Sequence, residues 1–537
     1  MFNFLIVSML VLCMNIYSQT NISSGNVSGN WNLEGSPYLI NGNITIPNTE
    51  TLVIDPGVDV LFQGHYSLAV NGRLLAEGTL SDSIKFSITE TVPTTTGWIG
   101  IKFVNTSSEN DSSKISYSVL EYAINIDENN FFEGSAVRFD NFSKARVSHS
   151  NFRNNRTLAG GGIKCINTAS PTIEHCFFLN NSGDSNNPGG GFAGGIAIMS
   201  NSAPIVRYNS FTQNGAYSAG AIGINEGGDA KIYNNHFYEN GAIIGGALYL
   251  LEKELPVPTI SGNIIENNES PYICGGLFMI IKDDITILVS NNTIVNNTAT
   301  YGGGAYLSGD NIKLINNILY HNSGIGSQVC LNDIEYSTSS DFYNCIIEGG
   351  VDGFGYDNGG SFEGEFIDCL DIDPDFVDFV ECDFHLSDTS PLIGAGVNQM
   401  SYNGINFYAF GKDIDGIDRP YPVLTNCDIG AYENTLAEPI VDIYENEVSK
   451  NSLMSFNYPD PFNPTTTICF DGRKSQDFLL TVYNLSGQIV FTSNYISSMS
   501  ENETISFNGQ SLTSGIYVYT IIGSNKEIIS GKMTLLK

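Results

Sequence analysis

The chain has 537 residues, with 57 Asp and Glu against 23 Lys and Arg, a formal net charge of −34. Such a balance repels polyanions and excludes nucleic acid as a partner. A hydrophobic content of 42% excludes disorder by composition and supplies enough apolar side chain for a large core.

Residues 1–18 hold an apolar run from Phe4 to Cys13, then small and polar residues near Ser18. They read as a secretory signal peptide, too short to span a bilayer, although no basic residue precedes the run. No later stretch offers about 18 consecutive apolar residues, so the mature chain is expected to be soluble and not an integral membrane protein. Nine cysteines follow the signal. An odd number forbids complete internal pairing, export permits disulfides such as Cys369–Cys382, and the lack of Cys/His clustering argues against zinc.

Residues 20–105 alternate apolar and polar side chains in short runs (38–46, 51–54, 58–62, 67–70, 84–86, 98–103). Turn signals at Asn41-Gly42, Asp55-Pro56-Gly57 and Asn71-Gly72 separate the first of these, which predicts brief strands. The middle of the chain repeats. An apolar residue is followed three positions later by Asn, as Phe152/Asn155, Phe177/Asn180, Phe211/Asn214, Phe237/Asn240, Ile264/Asn267, Ile294/Asn297 and Leu319/Asn322. Between these lie Gly-rich elements, from Gly161-Gly162-Ile163 to Gly303-Gly304-Ala305.

A unit of about 25 residues cannot bury an apolar face alone, but stacked units can. The pattern predicts an all-β fold, a right-handed single-stranded parallel β-helix over 20–433. The apolar residues, Phe152, Phe177, Phe211 and Phe237 among them, should form one inward column, and the Asn residues should form ladders at the bends. The repeats of 145–350 resemble those of polymorphic outer-membrane proteins and other β-helix surface proteins. The stretch from Ile372 to Gly396, then GKDIDGIDRP (411–420) and CDIGAYE (427–433), resembles the end of a family of anchored bacterial β-helix proteins. That resemblance implies terminal coils and a cap from about residue 365.

Residues 434–452 are acidic and polar and read as a linker. From 453 to 537 alternating strands between turns predict a small Ig-like β-sandwich. This part resembles the type A sorting domain of the type IX secretion system, through Asn457, Tyr458, Pro459, Pro461, Phe462, Asn463, Pro464, the run 483–487, Gly515-Ile516-Tyr517 and the tail from Lys532 to Lys537. The resemblance implies the type IX machinery as a partner. It also implies passage across the outer membrane, removal of the domain, and a passenger that is released or attached to surface lipopolysaccharide.

Chemistry is sparse. Parallel β-helices include pectin-acting lyases and hydrolases, whose reactions need clustered carboxylates with a cation or a base. Here Glu174, Arg207, Glu239, Glu266, Asp283 and Asp284 are scattered along the repeats. Asp413, Asp415 and Asp418 alternate beside a Gly turn and suit Ca²⁺, but lack the distal Glu of an EF-hand; no other cofactor is implied. His149, His175, His236 and His321 lie near the bends at differing offsets, which argues against one metal row. Tyr208, Tyr217, Tyr249 and Tyr301 are candidates for stacking on sugars. The reading is a secreted or outer-membrane surface protein for adhesion or glycan or partner binding, without catalysis. The alternative is a polysaccharide lyase or glycoside hydrolase of the pectin-lyase-like fold.

Overall fold

A computed structural model describes residues 19–89, 97–126, 134–184, 191–252, 257–282, 285–309, 311–332, 339–357, 361–402, 405–409, 411–422, 425–437, 455–459, 461–470, 477–484, 488–496, 503–523 and 528–537. The expected signal peptide (1–18) and residues 438–452 of the expected linker lie outside them, as do Asp283 and Asp284. The chain divides into two units, 1–440 and 441–537, each taken by itself below.

The first unit is a right-handed parallel β-helix. Its described strands form three long sheets of 13 strands each, and every strand pairs with its equivalent one turn away. A fourth sheet of eight strands, from Ile124–Asn125 to Ser323–Ile325, widens the middle turns. The short strands form because period-2 alternation puts one face on the axis: Thr51–Ile54 and Asp59–Phe62 bury every second side chain. Along the axis, Phe152, Phe178, Phe211 and Phe237 stack with centroids 4.8, 4.6 and 5.0 Å apart. Glycine makes room for them: a Cβ on Gly162 would lie 2.7 Å from the Phe178 ring, and one on Gly161 would lie 2.5 Å from the Gly194 carbonyl.

The column corrects two of the expected register assignments. Phe177 is 60% exposed and Phe178 takes its place; Ile265 takes the place of Ile264, pairing with Phe237 and Ile294. The buried Asn residues of those turns are accordingly Asn181 and Asn268, while Asn180 and Asn267 occupy the left-handed corner just before them. A one-residue slip reverses every side chain of a strand. The doubled Phe177-Phe178 and Asn180-Asn181 leave that choice open to a single spacing rule. A second ladder resolves it. Asn209, Asn235, Asn263, Asn292 and Asn317 are also buried, each two residues before the apolar column and five before the first ladder. Cys176 occupies this position on the Phe178 turn and Ser150 on the Phe152 turn.

Both ladders bond rung to rung. Amide Nδ2 groups of Asn155, Asn181, Asn214 and Asn240 each donate to the next Asn Oδ1 at 2.9 Å, and Asn209 through Asn292 do the same at 2.9–3.1 Å. The residue before each inward Asn bends the chain in the left-handed region, as in Tyr208 (φ 54°), Asn234 (φ 55°) and Asn316 (φ 56°). Such a corner costs a non-glycine residue about 1 kcal/mol. The buried amides offset it by satisfying neighbouring backbone groups.

The segment expected as terminal coils and cap does two things. Phe366–Ile367 and Leu370 add the last rung, where Phe342, Phe354, Phe362 and Phe366 close the core. Residues 372–433 then turn back and lie along the flank of the solenoid in short antiparallel hairpins. Corner residues hold them. Asn234 Nδ2 donates to the Lys412 and Asp413 carbonyls (2.8 and 3.0 Å), and Asn291 Nδ2 to that of Asp428 (3.2 Å). Asn316 exchanges two bonds with the Val397 backbone (2.9 and 3.0 Å). Apolar contact adds to this: Ile318 and Ile346 pack with Leu386, Leu392 and Ile429, and Ile264 and Val295 with Phe384 and Ala431.

The second unit contains two antiparallel sheets around a core of its own, with Phe462, Ile468, Phe478, Val482, Tyr519 and Leu535 among its members.

A candidate binding cleft on the solenoid flank

Ten successive turns present one left-handed corner residue each in the same column: Tyr117, His149, His175, Tyr208, Asn234, Gly262, Asn291, Asn316, Asn344 and Asp368. From Asn234 to Asn316 the folded-back segment covers the column. Before Asn234 the column is open and its residues are rings. Tyr117 stacks on His149 (4.7 Å), His149 on His175 (5.0 Å) and His175 on Tyr208 (5.1 Å), with interplanar angles of 15°, 17° and 3°. Both histidines are exposed. The parallel bends align these two contrary to the expected mismatch of offsets, whereas His236 bonds Glu266 (2.6 Å) and His321 packs against Tyr320 and Phe379.

Where the open column meets the edge of the folded-back segment lies a cleft of about 500 Å³. His149, His175, Phe177, Tyr208 and His236 line it, and the loop 414–416 of the folded-back segment completes the wall. A smaller depression of about 270 Å³ continues past Phe177 to Leu179, Arg153 and Thr212. Phe177 and Leu179 are 60% and 42% exposed, an apolar pair beside the cleft.

The wall loop is held by charge. His385 sits between Asp383 (Nδ1 to Oδ1, 2.5 Å) and Asp415 (Nε2 to Oδ2, 2.7 Å) and stacks on Tyr432 at 3.8 Å. Burial lowers the affinity of His385 for its proton, but Asp415 and Asp383 overcome that and raise its pKa. On the open side burial, then the charge of His149, lowers the pKa of His175 and favours the neutral ring.

Behind the ring column, buried carboxylates tie down pairs of exposed cations. Glu174 holds Arg207 (2.7 Å) and Arg146, and Glu121 holds Arg153 (2.7 Å) and Lys85 (3.0 Å). Burial pushes both carboxyls up, and their cations pull them below the ordinary range. Each trio keeps one net positive charge. Residues 134–238 carry eight Lys and Arg against five Asp and Glu, a basic zone in a chain of net charge −34.

The other expected site residues fall as follows. The three aspartates proposed for Ca²⁺ have three different partners. Asp413 is buried and its carboxylate accepts from Asp415 N (3.0 Å), Ile417 N (2.7 Å) and Glu433 N (2.9 Å). Asp415 binds His385, and Asp418 binds Lys412 (2.6 Å). Among the described residues no group of three or more His, Cys, Asp or Glu is placed to hold a metal. The DIDGIDRP and DIGAYE stretches instead build a buried network: Arg419 pairs with Glu433 (3.0 Å) and donates to the Gly430 carbonyl (2.9 Å). Burial, opposed by Arg419, raises Glu433 to about 8; burial, opposed by backbone donors, raises Asp428 to about 6.

Glu174 and Arg207 are brought together, but Glu266 is buried against His236 and Glu239 pairs with Gln213 (2.9 Å). Tyr249 stacks on Phe278 within a packed cluster, and Tyr301 packs edge-on against Tyr272. Cys369 and Cys382 have different partners: Cys369 accepts from Cys345 N, and Cys382 from the Asn267 side chain.

In the second unit the expected sorting residues are mostly framework. Asn457 Nδ2 donates to Thr466 Oγ1 (3.2 Å), which donates to the Pro459 carbonyl (2.8 Å). Phe462 is buried, its backbone exchanging bonds with Thr534 and Leu536, while Pro461 and Asn463 are exposed beside it. Gly509 N donates to the Pro464 carbonyl (2.8 Å), and Tyr458 lies on the strand Ser455–Tyr458. Gly515, Ile516 and Tyr517 open the central strand, and buried Tyr517 donates to the Thr513 carbonyl (2.8 Å). Lys532 is exposed opposite Val518, and Lys537 Nζ donates to the Gln510 carbonyl (2.6 Å).

These two units define a class, an exported parallel β-helix with a carboxy-terminal β-domain. Residues 100–281 match the family described as right handed beta helix region, and residues 457–534 match the secretion system C-terminal sorting domain. The chain therefore carries a sorting domain behind a β-helix and is a secreted or cell-surface protein that engages a secretion machinery. No curated protein sequence matches it. Among solved structures, the enzymatically active domain of tailspike protein 4 of bacteriophage CBA120 is similar at 12% identity and a TM-score of 0.20; the match covers 93% of this chain and 61% of that one. Among the described residues no helix is long and apolar enough to cross a membrane.

Proposed function

We propose that the protein is exported through its signal peptide and type IX sorting domain and binds anionic glycans in the flank cleft, without catalysis. The observation that carries this reading is the open ring column, Tyr117–His149–His175–Tyr208, which ends in a cleft lined also by exposed Phe177. Stacked on one another, the rings present a ladder of edges, whose imidazole nitrogens and phenol hydroxyls can hydrogen-bond a glycan, beside exposed Phe177, against which a sugar ring can pack. The net positive charge kept by the Glu174 and Glu121 trios supports a ligand bearing carboxylate or sulfate. Glu174 is already committed to two arginines, which counts against its acting as a general acid or base.

Calorimetric titration of the full chain with carboxylated, sulfated and neutral polysaccharides tests the reading. Saturable binding of an acidic polymer that weakens in Tyr208→Ala and Phe177→Ala is expected. Release of unsaturated ends or new reducing ends would instead assign the lyase or hydrolase reading, and no binding by any polymer would remove both.

A further inference from the structure

The second amide ladder does not end in Asn. After Asn292 and Asn317 the next two turns place Cys345 and Cys369 in the same position. Asn317 N donates to Cys345 Sγ at 3.4 Å, and Cys345 N to Cys369 Sγ at 3.3 Å, so each sulfur takes the part that an Asn oxygen plays elsewhere. Leu370 N donates to the Cys345 carbonyl (2.9 Å), and Ile346 bridges Leu370 in parallel, which makes the two cysteines neighbours on consecutive rungs. Neighbouring strands lie about 4.8 Å apart, inside the roughly 4.4–6.8 Å between Cα atoms that a disulfide spans. Cys176, also in this ladder, has Asn209 on the following rung and Ser150 on the preceding one, so no such pair arises there.

The rung that carries Cys369 is the last of the solenoid and short, Phe366–Ile367 plus the Leu370 bridge. A short terminal rung is a sheet edge, open to fraying and to pairing with another chain. The protein reaches an oxidising compartment, where disulfides persist.

We propose that Cys345 and Cys369 form a disulfide in the exported protein and lock the last rung to the one before it. The oxidant is an external disulfide, borne by a protein or a small thiol. Cys369 is the less buried of the two, and its thiolate attacks first, releasing one thiol and leaving a mixed disulfide. The Cys345 thiolate then attacks the Cys369 sulfur, forming the new S–S bond and releasing the second thiol. The two protons and two electrons lost by the cysteines end on the reduced oxidant.

The secreted full-length chain is alkylated before any reduction, digested and mapped by mass spectrometry. A linked pair of peptides holding residues 345 and 369, two hydrogens lighter than their sum, is expected. Alkylation of both cysteines as free thiols, or a link from either to another cysteine, overturns the proposal. A second measurement uses the purified reduced chain treated with oxidised glutathione. Amide exchange over residues 366–370 should slow about tenfold or more, and should not slow in Cys369→Ser. Equal exchange before and after oxidation overturns the proposal.

Discussion

On the turns from Tyr117 to Tyr208 the left-handed corner carries rings that stack in the open. On the turns from Asn234 to Asn316 the same corner carries amides and a glycine beneath a second layer of chain. The backbone conformation is common to both halves, so it does not dictate the side chain. Asn suits the left-handed region best, because its short amide bonds locally. Where Asn stands, its outward amide also grips the folded-back segment. Tyr tolerates the bend less well, and the bonds that hold the folded-back segment run from the Asn corners and not from these rings. The presence of rings in four consecutive open turns accords with the glycan contact proposed above.

The halves also differ electrostatically. In the open half Glu174 and Glu121 are held below the ordinary carboxylate range by exposed arginines and a lysine. In the covered half Asp428 and Glu433 are raised by burial.

The largest expected effect tests what the halves share. Phe178→Ala should destabilise the solenoid by about 3–5 kcal/mol, because it opens a cavity in the ring stack, whereas Phe177→Ala should change stability by less than about 0.5 kcal/mol. Denaturant titration checks both, and equal effects would mean that the strand sits one residue out of register. A smaller contrast separates the two uses of the corner. Asn316→Ala strips two bonds from the half-buried Val397 backbone and should cost about 2 kcal/mol, while Tyr208→Ala should cost under about 1 kcal/mol. If Tyr208→Ala proved as costly as Asn316→Ala, the open rings would be framework and the cleft would lose its argument.

Acid and alkali should then separate the halves, by on the order of 1 kcal/mol each. A lowered carboxylate contributes stability above its ordinary pKa and loses it as pH falls through the folded value, so turns 113–212 should loosen in acid, below about pH 4. A raised carboxylate contributes stability below its ordinary pKa and loses it as pH rises through the folded value. Residues 411–433 should therefore loosen progressively from about pH 4, the ordinary carboxylate value, up to about 6 for Asp428 and about 8 for Glu433. Hydrogen exchange corrected for intrinsic rate reads both halves in one experiment, and the same pH trend in both would break the contrast. The smallest effect is on folding and the most telling on binding. Phe177→Ala and His175→Ala should leave the melting temperature within about 2 °C and weaken binding of an acidic glycan several-fold.

Much of this was legible in the chain because a solenoid writes its architecture locally. Each turn repeats the same demands: an apolar side chain on the axis, an amide at the bend, a glycine where a ring or the next backbone comes close. Seven turns with an apolar residue three positions before Asn were enough to predict the parallel β-helix, and the alternating tail from 453 to 537 was enough to predict the sandwich. Register was legible only in part. Where Phe or Asn is doubled, one spacing admits two solutions a single residue apart, and the second ladder, marked by Asn209 and Asn235 but disguised as Cys176 and Ser150, was needed to choose.

Tertiary structure alone decided the rest. Residues 372–433 carry no repeat, and nothing local in them says that they lie along the flank and grip Asn234, Asn291 and Asn316. The cleft exists because that segment stops short of Tyr208, which brings residues 414–416 to residues 149–208 across more than 200 positions of chain. The roles of Asp413, Asp415 and Asp418 diverged for the same reason: alternation beside a turn is a local property, whereas His385, Lys412 and Glu433 become their partners only after folding. A repeat encodes contacts between equivalent positions on neighbouring turns; contacts made by a segment outside the repeat depend on where the whole chain carries it.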